Sequence, residues 1–247
     1  MAKLLVVEGS GIVRGVFKDL LVKHTDFDFD LVATYAEAEK LLEVNRYEFA
    51  VVERDLEDSP KGEIIALLNK HDIAPLVFTS EIDEVFFESF EGAQIVDYIV
   101  KQKYNNITYV VQKLKQLQEN KERSVLVMSS SHTYGNYLKR NLNLQSFTVL
   151  SATNNEEASL IIDKHPEITL FILDKQKVHE NSLELIESIR QRRSKEELKI
   201  IVLEDSLNSY FTSSLLHKGA DDFIIKPFSR DEFYTRVYQK IQTIPLD

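Results

Sequence analysis

The sequence predicts an α/β protein of two successive five-fold β-α units, each a five-stranded parallel sheet with helices on both faces. Three observations predict it. Short apolar runs such as "KLLVV" and "ITLFILD" are continuous rather than alternating, as in strands covered on both faces. Amphipathic stretches of roughly 10–15 residues separate them, clearest in "YAEAEKLLEVN" and "NNEEASLIIDKH", and such alternation implies a parallel sheet. The whole pattern then occurs twice.

Taken in order, "KLLVVEGS" opens the first copy and "SVLVMSSS" (124–131) the second. "YEFAVVERD" (47–55) matches "ITLFILDKQ" (168–176), and "APLVFTS" (74–80) matches "LKIIVLEDS" (198–206). "GAQIVDYIVKQ" (92–102) matches "GADDFIIKPF" (219–228). Glu8 to Glu53 spans 45 residues, and so does Ser129 to Asp174. Glu53 to Lys101 spans 48 and Asp174 to Lys226 spans 52; the extra four fall before the third pair, in "RQRRSKEELK", which reads as a solvated loop insertion. Domains are therefore expected at 1–120 and 121–247. The join is helical: Ile107, Val110, Val111, Leu114 and Leu117 form one stripe, with Asn105 or Asn106 as cap, so a stiff connection is expected. In the last helix, Ser229 and Glu232 form a capping box and Phe228 and Phe233 a hydrophobic staple.

Composition excludes several classes. The net charge of −10 argues against nucleic acid or an anionic membrane as partner. There is no cysteine, hence no disulfide or zinc–thiolate site. The opening apolar run is too short for a signal-peptide core or a span, and no later run is long enough, so an intracellular, cytoplasmic protein is expected. The six histidines are scattered singly, which reads as surface or locally bonded histidine rather than metal ligation. Gly9, Gly11 and Gly15 follow a strand, but Arg14 stands where a dinucleotide fingerprint needs its third glycine, so nucleotide binding is not expected. Lys226 ends an apolar strand that Pro227 cannot continue, which places the lysine at the carboxyl edge of the sheet, where ligands bind in such folds.

Carboxylates after the third strand and Lys-Pro after the fifth, most specifically "GADDFIIKPF", resemble the receiver domains of response regulators, twice over nearly the whole chain. The resemblance implies two flavodoxin-like (βα)5 receiver domains, as at the front of receiver–receiver–diguanylate cyclase (GGDEF) regulators. It implies an acidic pair and an acceptor aspartate that bind Mg²⁺, phosphoryl transfer from a histidine kinase, and a hydroxyl and a lysine that hold the phosphoryl oxygens. Transferred by position, Glu53 and Asp174 are the acceptor positions and Lys101 and Lys226 the lysines. Thr79 is the hydroxyl, and Glu8 with Glu53 is the candidate Mg²⁺ set.

Both copies depart from that pattern. Gly9 replaces the second acid, Glu53 the acceptor aspartate and Gln102 the proline. Glu53, one methylene longer, can reach Lys101 as a permanent mimic of the phosphorylated state or as a plain salt bridge; Asp55 is the less suitable acceptor because it would put Arg54 inside the strand register. In the second copy Ser129 and Ser130 replace the acidic pair and Glu204 the hydroxyl, leaving Asp174 a poor Mg²⁺ set. Lys226 is expected in a standing ion pair with Asp174 or Glu204. Tyr98 and Phe223, at the position of the family's signalling aromatic, are expected in core packing.

The expectation is thus a non-enzymatic regulatory and dimerisation module of two degenerate receivers, a homodimer that signals through about 82–120 and 207–243 to a cyclase output domain in cis. One rival is a phosphorelay receiver in which Asp174 still takes phosphate from a histidine kinase or phosphotransfer protein. The other is a flavodoxin-like small-molecule binder, which a flavin or nucleotide spectrum would reveal.

Overall fold

Leu4, Leu5, Val6 and Val7 are all fully buried in strand β1 (Lys3–Val7). Successive residues of a strand face opposite sides of the sheet. Leu4 and Val6 therefore join a core with Phe17, Leu21 and Val110, while Leu5 and Val7 join a second core with Ala38, Leu42 and Ile64. The computed structural model describes residues 2–80, 92–101, 105–174, 180–205 and 209–242. The chain divides into two compact units, Met1–Gln118 and Glu119–Asp247.

In the first unit β1 is flanked by β2 (Asp28–Val32) and β3 (Phe49–Val52), and β4 (Leu76–Thr79) and β5 (Asp97–Val100) follow, in the order β2-β1-β3-β4-β5. Every pairing is parallel. The second unit repeats this with β6 (Ser124–Ser129), β7 (Thr148–Ala152), β8 (Ile168–Asp174), β9 (Lys199–Glu204) and β10 (Asp222–Ile225), in the order β7-β6-β8-β9-β10. Both are flavodoxin-like parallel sheets. In this order the chain leaves the first strand on one side and the third on the other, which opens a crevice at their carboxyl ends. Helices Gly11–His24 and Asn105–Asn120 cover one face of the first sheet, and Tyr35–Val44 and Glu63–Lys70 the other. The stripe Ile107, Val110, Val111, Leu114 and Leu117 is buried throughout, as its spacing requires.

Local signals act where the sequence places them. Ser229 Oγ accepts from the Glu232 N–H at 3.0 Å, and the rings of Phe228 and Phe233 stack at 5.6 Å, so helix Arg230–Ile241 starts at its cap and staple. By contrast, Asn106 does not act as the expected cap: it lies inside helix Asn105–Asn120 and its side-chain amide donates back to the Val100 carbonyl. Tyr98 and Phe223 are half-buried and pack on the cores of their own units.

The charged insertion is largely the solvated loop its composition suggests, with 191, 192 and 194–197 exposed, but two of its arginines anchor it. The Arg190 side chain is only 12% exposed; it pairs with Asp221 at 2.6 Å and donates to the carbonyls of Gly219 and Leu198. Arg193 donates to Pro166 and Ile168. A guanidinium has five donors, enough to satisfy several loop carbonyls at once, so these arginines staple loops that residue polarity alone would leave in water. Among the described residues no helix is long and apolar enough to cross a membrane.

Candidate functional site

Strand register assembles the sites. Val7 lies opposite Val52, so Glu8 and Glu53 leave the sheet side by side; Ser129 lies directly opposite Asp174. The Lys101 N–H donates to the Thr79 carbonyl and the Lys226 N–H to the Glu204 carbonyl, both at 2.7 Å. Thr79 and Glu204 therefore hold equivalent places in the two units, as do the lysines. Gln102 and the fourth-helix part of the expected signalling face, about 82–91, lie outside the described residues.

In the first unit Lys101 Nζ lies 2.7 Å from Glu8 Oε2 and 2.6 Å from Glu53 Oε1, so one ammonium holds both carboxylates. Each carboxylate gives its other oxygen to the backbone: Glu8 Oε1 accepts from the Ser10 N–H at 3.0 Å, and Glu53 Oε2 from the Gly9 N–H at 2.9 Å. Burial pushes the Glu8 carboxyl above the usual range; Lys101 opposes that and the Glu53 charge adds to it. The longer side chain of Glu53 lies close against position 9: a Cβ on Gly9 would sit 3.1 Å from Glu53 Oε2, so that oxygen would have to shift by a few tenths of an ångström. Arg14, at the start of its helix, bonds the carbonyls of both Glu8 and Gly9. Asp55 takes no part; it pairs with Arg54 at the surface. The roles of Gly9 and Arg14 were not legible as a site in sequence, because Gly9 acts through its own N–H and the Arg14 guanidinium binds backbone carbonyls.

In the second unit Lys226 Nζ lies 2.8 Å from Asp174 Oδ1 and 2.7 Å from Asp205 Oδ1. The Ser129 hydroxyl lies 2.6 Å from Asp174 Oδ2. Burial works against the Lys226 ammonium, but the hydrogen bonds and charges of Asp174 and Asp205 outweigh it and hold its pKa above the ordinary value. Of the two expected partners of Lys226, Asp174 is the one observed and Glu204 is not; Asp205 stands beside Asp174 instead. The position of Glu204 on β9 pairs its backbone with Lys226, while the next residue, Asp205, lies beyond the strand and turns its carboxylate onto the ammonium. The repeat could not reveal Asp205, whose counterpart is Ser80. Glu204 Oε1 is buried without a hydrogen-bond partner, and burial, with the Asp205 charge, pushes this carboxyl up to about 7 against the pull of Lys226. The ammonium also lies 5.1 Å from the centre of the Tyr134 ring, whose hydroxyl pKa is raised by burial and by the Asp174 charge.

The donor sets do not fit a Mg²⁺ ion, which needs six oxygens in near-octahedral array. Glu53 Oε1 already accepts from Lys101, Glu8 Oε2 is ion-paired with the same ammonium without a hydrogen bond, and Asp174 faces a serine and a lysine. Among the described residues no group of three or more acidic or histidine side chains is placed to hold a metal. The arrangement neutralises and positions carboxylates without an added ion.

The response regulator receiver domain family matches residues 125–238. Over the whole chain, a solved two-component system response regulator/GGDEF domain protein is similar at 27% identity, TM-score 0.87, covering 99% of both chains. A second structure of the same description gives TM-score 0.85 at 27% identity, covering 98% of both. Response regulator ArlR of Staphylococcus epidermidis is 27% identical over 122 residues, 49% of this chain and 54% of that protein. The phosphate regulon transcriptional regulatory protein PhoB of Rhizobium meliloti is 31% identical over 114 residues, 46% of this chain and 49% of that protein. The chain spans about half the length of the curated relatives it matches.

Proposed function

Because this chain is a tandem of response-regulator receiver domains, we propose that it is the regulatory module of a two-component regulator whose two sites are degenerate and held closed from within. The observation that carries this reading is that each site lysine is already paired with two carboxylates of its own unit, Lys101 with Glu8 and Glu53, and Lys226 with Asp174 and Asp205. Phosphoryl transfer is mostly positioning and charge neutralisation. An acceptor carboxylate must have a free oxygen, and the incoming phosphoryl group needs a free cation and a donor. At Asp174 one oxygen meets the ammonium and the other a serine hydroxyl, while Glu204 stands where Thr79 stands in the first unit.

The module serves as a cytoplasmic scaffold and dimerisation unit rather than an enzyme. Its output is a diguanylate cyclase domain of the GGDEF type in cis, a reading supported by the description of the two solved proteins similar over the full chain. Glu53 reaches Lys101 without phosphorylation and so holds the first unit in a single, permanent state. Intact mass after incubation with acetyl phosphate and Mg²⁺, beside an Asp174→Ala control, tests the reading. No adduct on either protein is expected. An adduct lost in the control would instead establish Asp174 as a working acceptor for a histidine kinase or phosphotransfer protein.

A further inference from the structure

We infer that the Lys101 ammonium is the resident cation of the first unit's sheet edge, standing in place of a hard divalent ion and closing the edge to one. This deepens the degenerate-site reading and rests on it. Glu8 and Glu53 bring four carboxylate oxygens; two lie 2.7 and 2.6 Å from Lys101 Nζ, and the other two accept from Ser10 and Gly9 at 3.0 and 2.9 Å. The carbonyl oxygens of the same loop are engaged as well, since Arg14 donates to those of Glu8 and Gly9. Two cationic side chains thus stand at the oxygens through which a divalent ion would be held, Glu8 Oε2 meeting the ammonium by charge alone, without a hydrogen bond. A hard cation takes oxygen ligands only, so it must compete with Lys101 for the same two atoms.

The exchange is built in rather than incidental. Gly9 supplies no third carboxylate, and its missing Cβ leaves the room that Glu53 uses. Glu8 is 1% exposed, so its charge needs a cation close by. Lys101 supplies it, its ammonium lying 5.2 Å from the centre of the Phe78 ring at the base of the site. Without that ammonium, two adjacent carboxylates face each other across a largely buried edge, an arrangement that a divalent ion neutralises.

Mn²⁺ binding to the full chain, read by electron paramagnetic resonance, tests this. Comparing each protein with its Glu53→Gln form isolates the component due to this site. The wild type is expected to show no Glu53-dependent binding. Lys101→Met is expected to gain a Mn²⁺ site at least about tenfold tighter than any Glu53-dependent wild-type binding, a difference of ~1.4 kcal/mol, and Lys101→Met/Glu53→Gln to lose it. A Glu53-dependent site in the wild type, or a folded Lys101→Met that binds no better, overturns the inference. If Lys101→Met does not fold, Mn²⁺ broadening of the Gly9 and Ser10 amide signals in the wild type decides: broadening overturns the inference and its absence supports it. Glu53-dependent Mn²⁺ binding in the wild type without any phosphoryl adduct would overturn this inference alone, whereas an adduct on the first unit would overturn the reading beneath it.

Discussion

Lys226 holds carboxylates from two different elements, so removing it leaves buried charge rather than a mere gap. Asp174 is 2% exposed, and an uncompensated charge there is costly. Lys226→Ala is expected to lose on the order of 3 kcal/mol in urea unfolding, and adding Asp174→Asn to recover part of it. Unchanged stability in the single variant would remove the structural role of the pair. Glu204 supplies the pH dependence. Its carboxyl is raised from 4.5 to about 7, so the folded state keeps a proton that the unfolded state has released. The contribution is fully present below pH 4.5, declines as pH rises toward 7, and stays lost above it. Glu204→Gln should leave the melting temperature near pH 4.5 unchanged and raise it at neutral pH and above. Because the side chain is partly exposed, solvent screening limits the gain to a fraction of what a fully buried group would give. Melting curves of equal midpoint across that range would show that Glu204 titrates normally.

At the scale of elements, close approaches decide which residues are tolerated. Gly219 has φ of +115°, and a Cβ there would lie 2.5 Å from Arg190 Cγ. Gly219→Ala combines backbone strain with a collision against a mostly buried side chain and should cost about 2 kcal/mol, measured by thermal unfolding. The same Arg190 guanidinium ties the end of helix Glu180–Arg190 to the start of β10 through Asp221. Ser229→Ala is milder; it deletes one cap acceptor while the Phe228–Phe233 stack persists, and the expected loss is about 1 kcal/mol. A Ser229→Ala loss as large as that of Gly219→Ala would mean that the cap carries more than a helix end.

Over the whole molecule, each unit has its own pair of cores around its own sheet, so each site is built by its own unit. The proposed dimer is tested by sedimentation equilibrium, with a concentration-dependent mass between one and two chains as the expected result. A mass of one chain at all concentrations would leave the module as a scaffold without self-association. The fold was legible because the 45-residue spacing between first-strand and third-strand positions is kept in both copies. Strand register then fixes which residues meet, and Glu8, Glu53, Asp174 and the two lysines fell where spacing placed them. In the charged insertion the solvated loop was legible, but not the carbonyls that Arg190 and Arg193 bind.

By itself the sequence determined the repeat, the alternation of strands and helices, the Ser229 cap and the equivalence of positions between the copies, because these follow from periodicity and chain spacing; the strand order came from the family resemblance. Only the tertiary structure decided the pairings. Asp205 joins Asp174 at Lys226 while Glu204 does not, the Gly9 backbone N–H meets Glu53 beside Lys101, and Arg14 closes the first loop. Those choices depend on where a carboxylate or guanidinium turns beyond the end of a strand. That direction is set by ångström-scale distances between distant segments, to which residue spacing is blind.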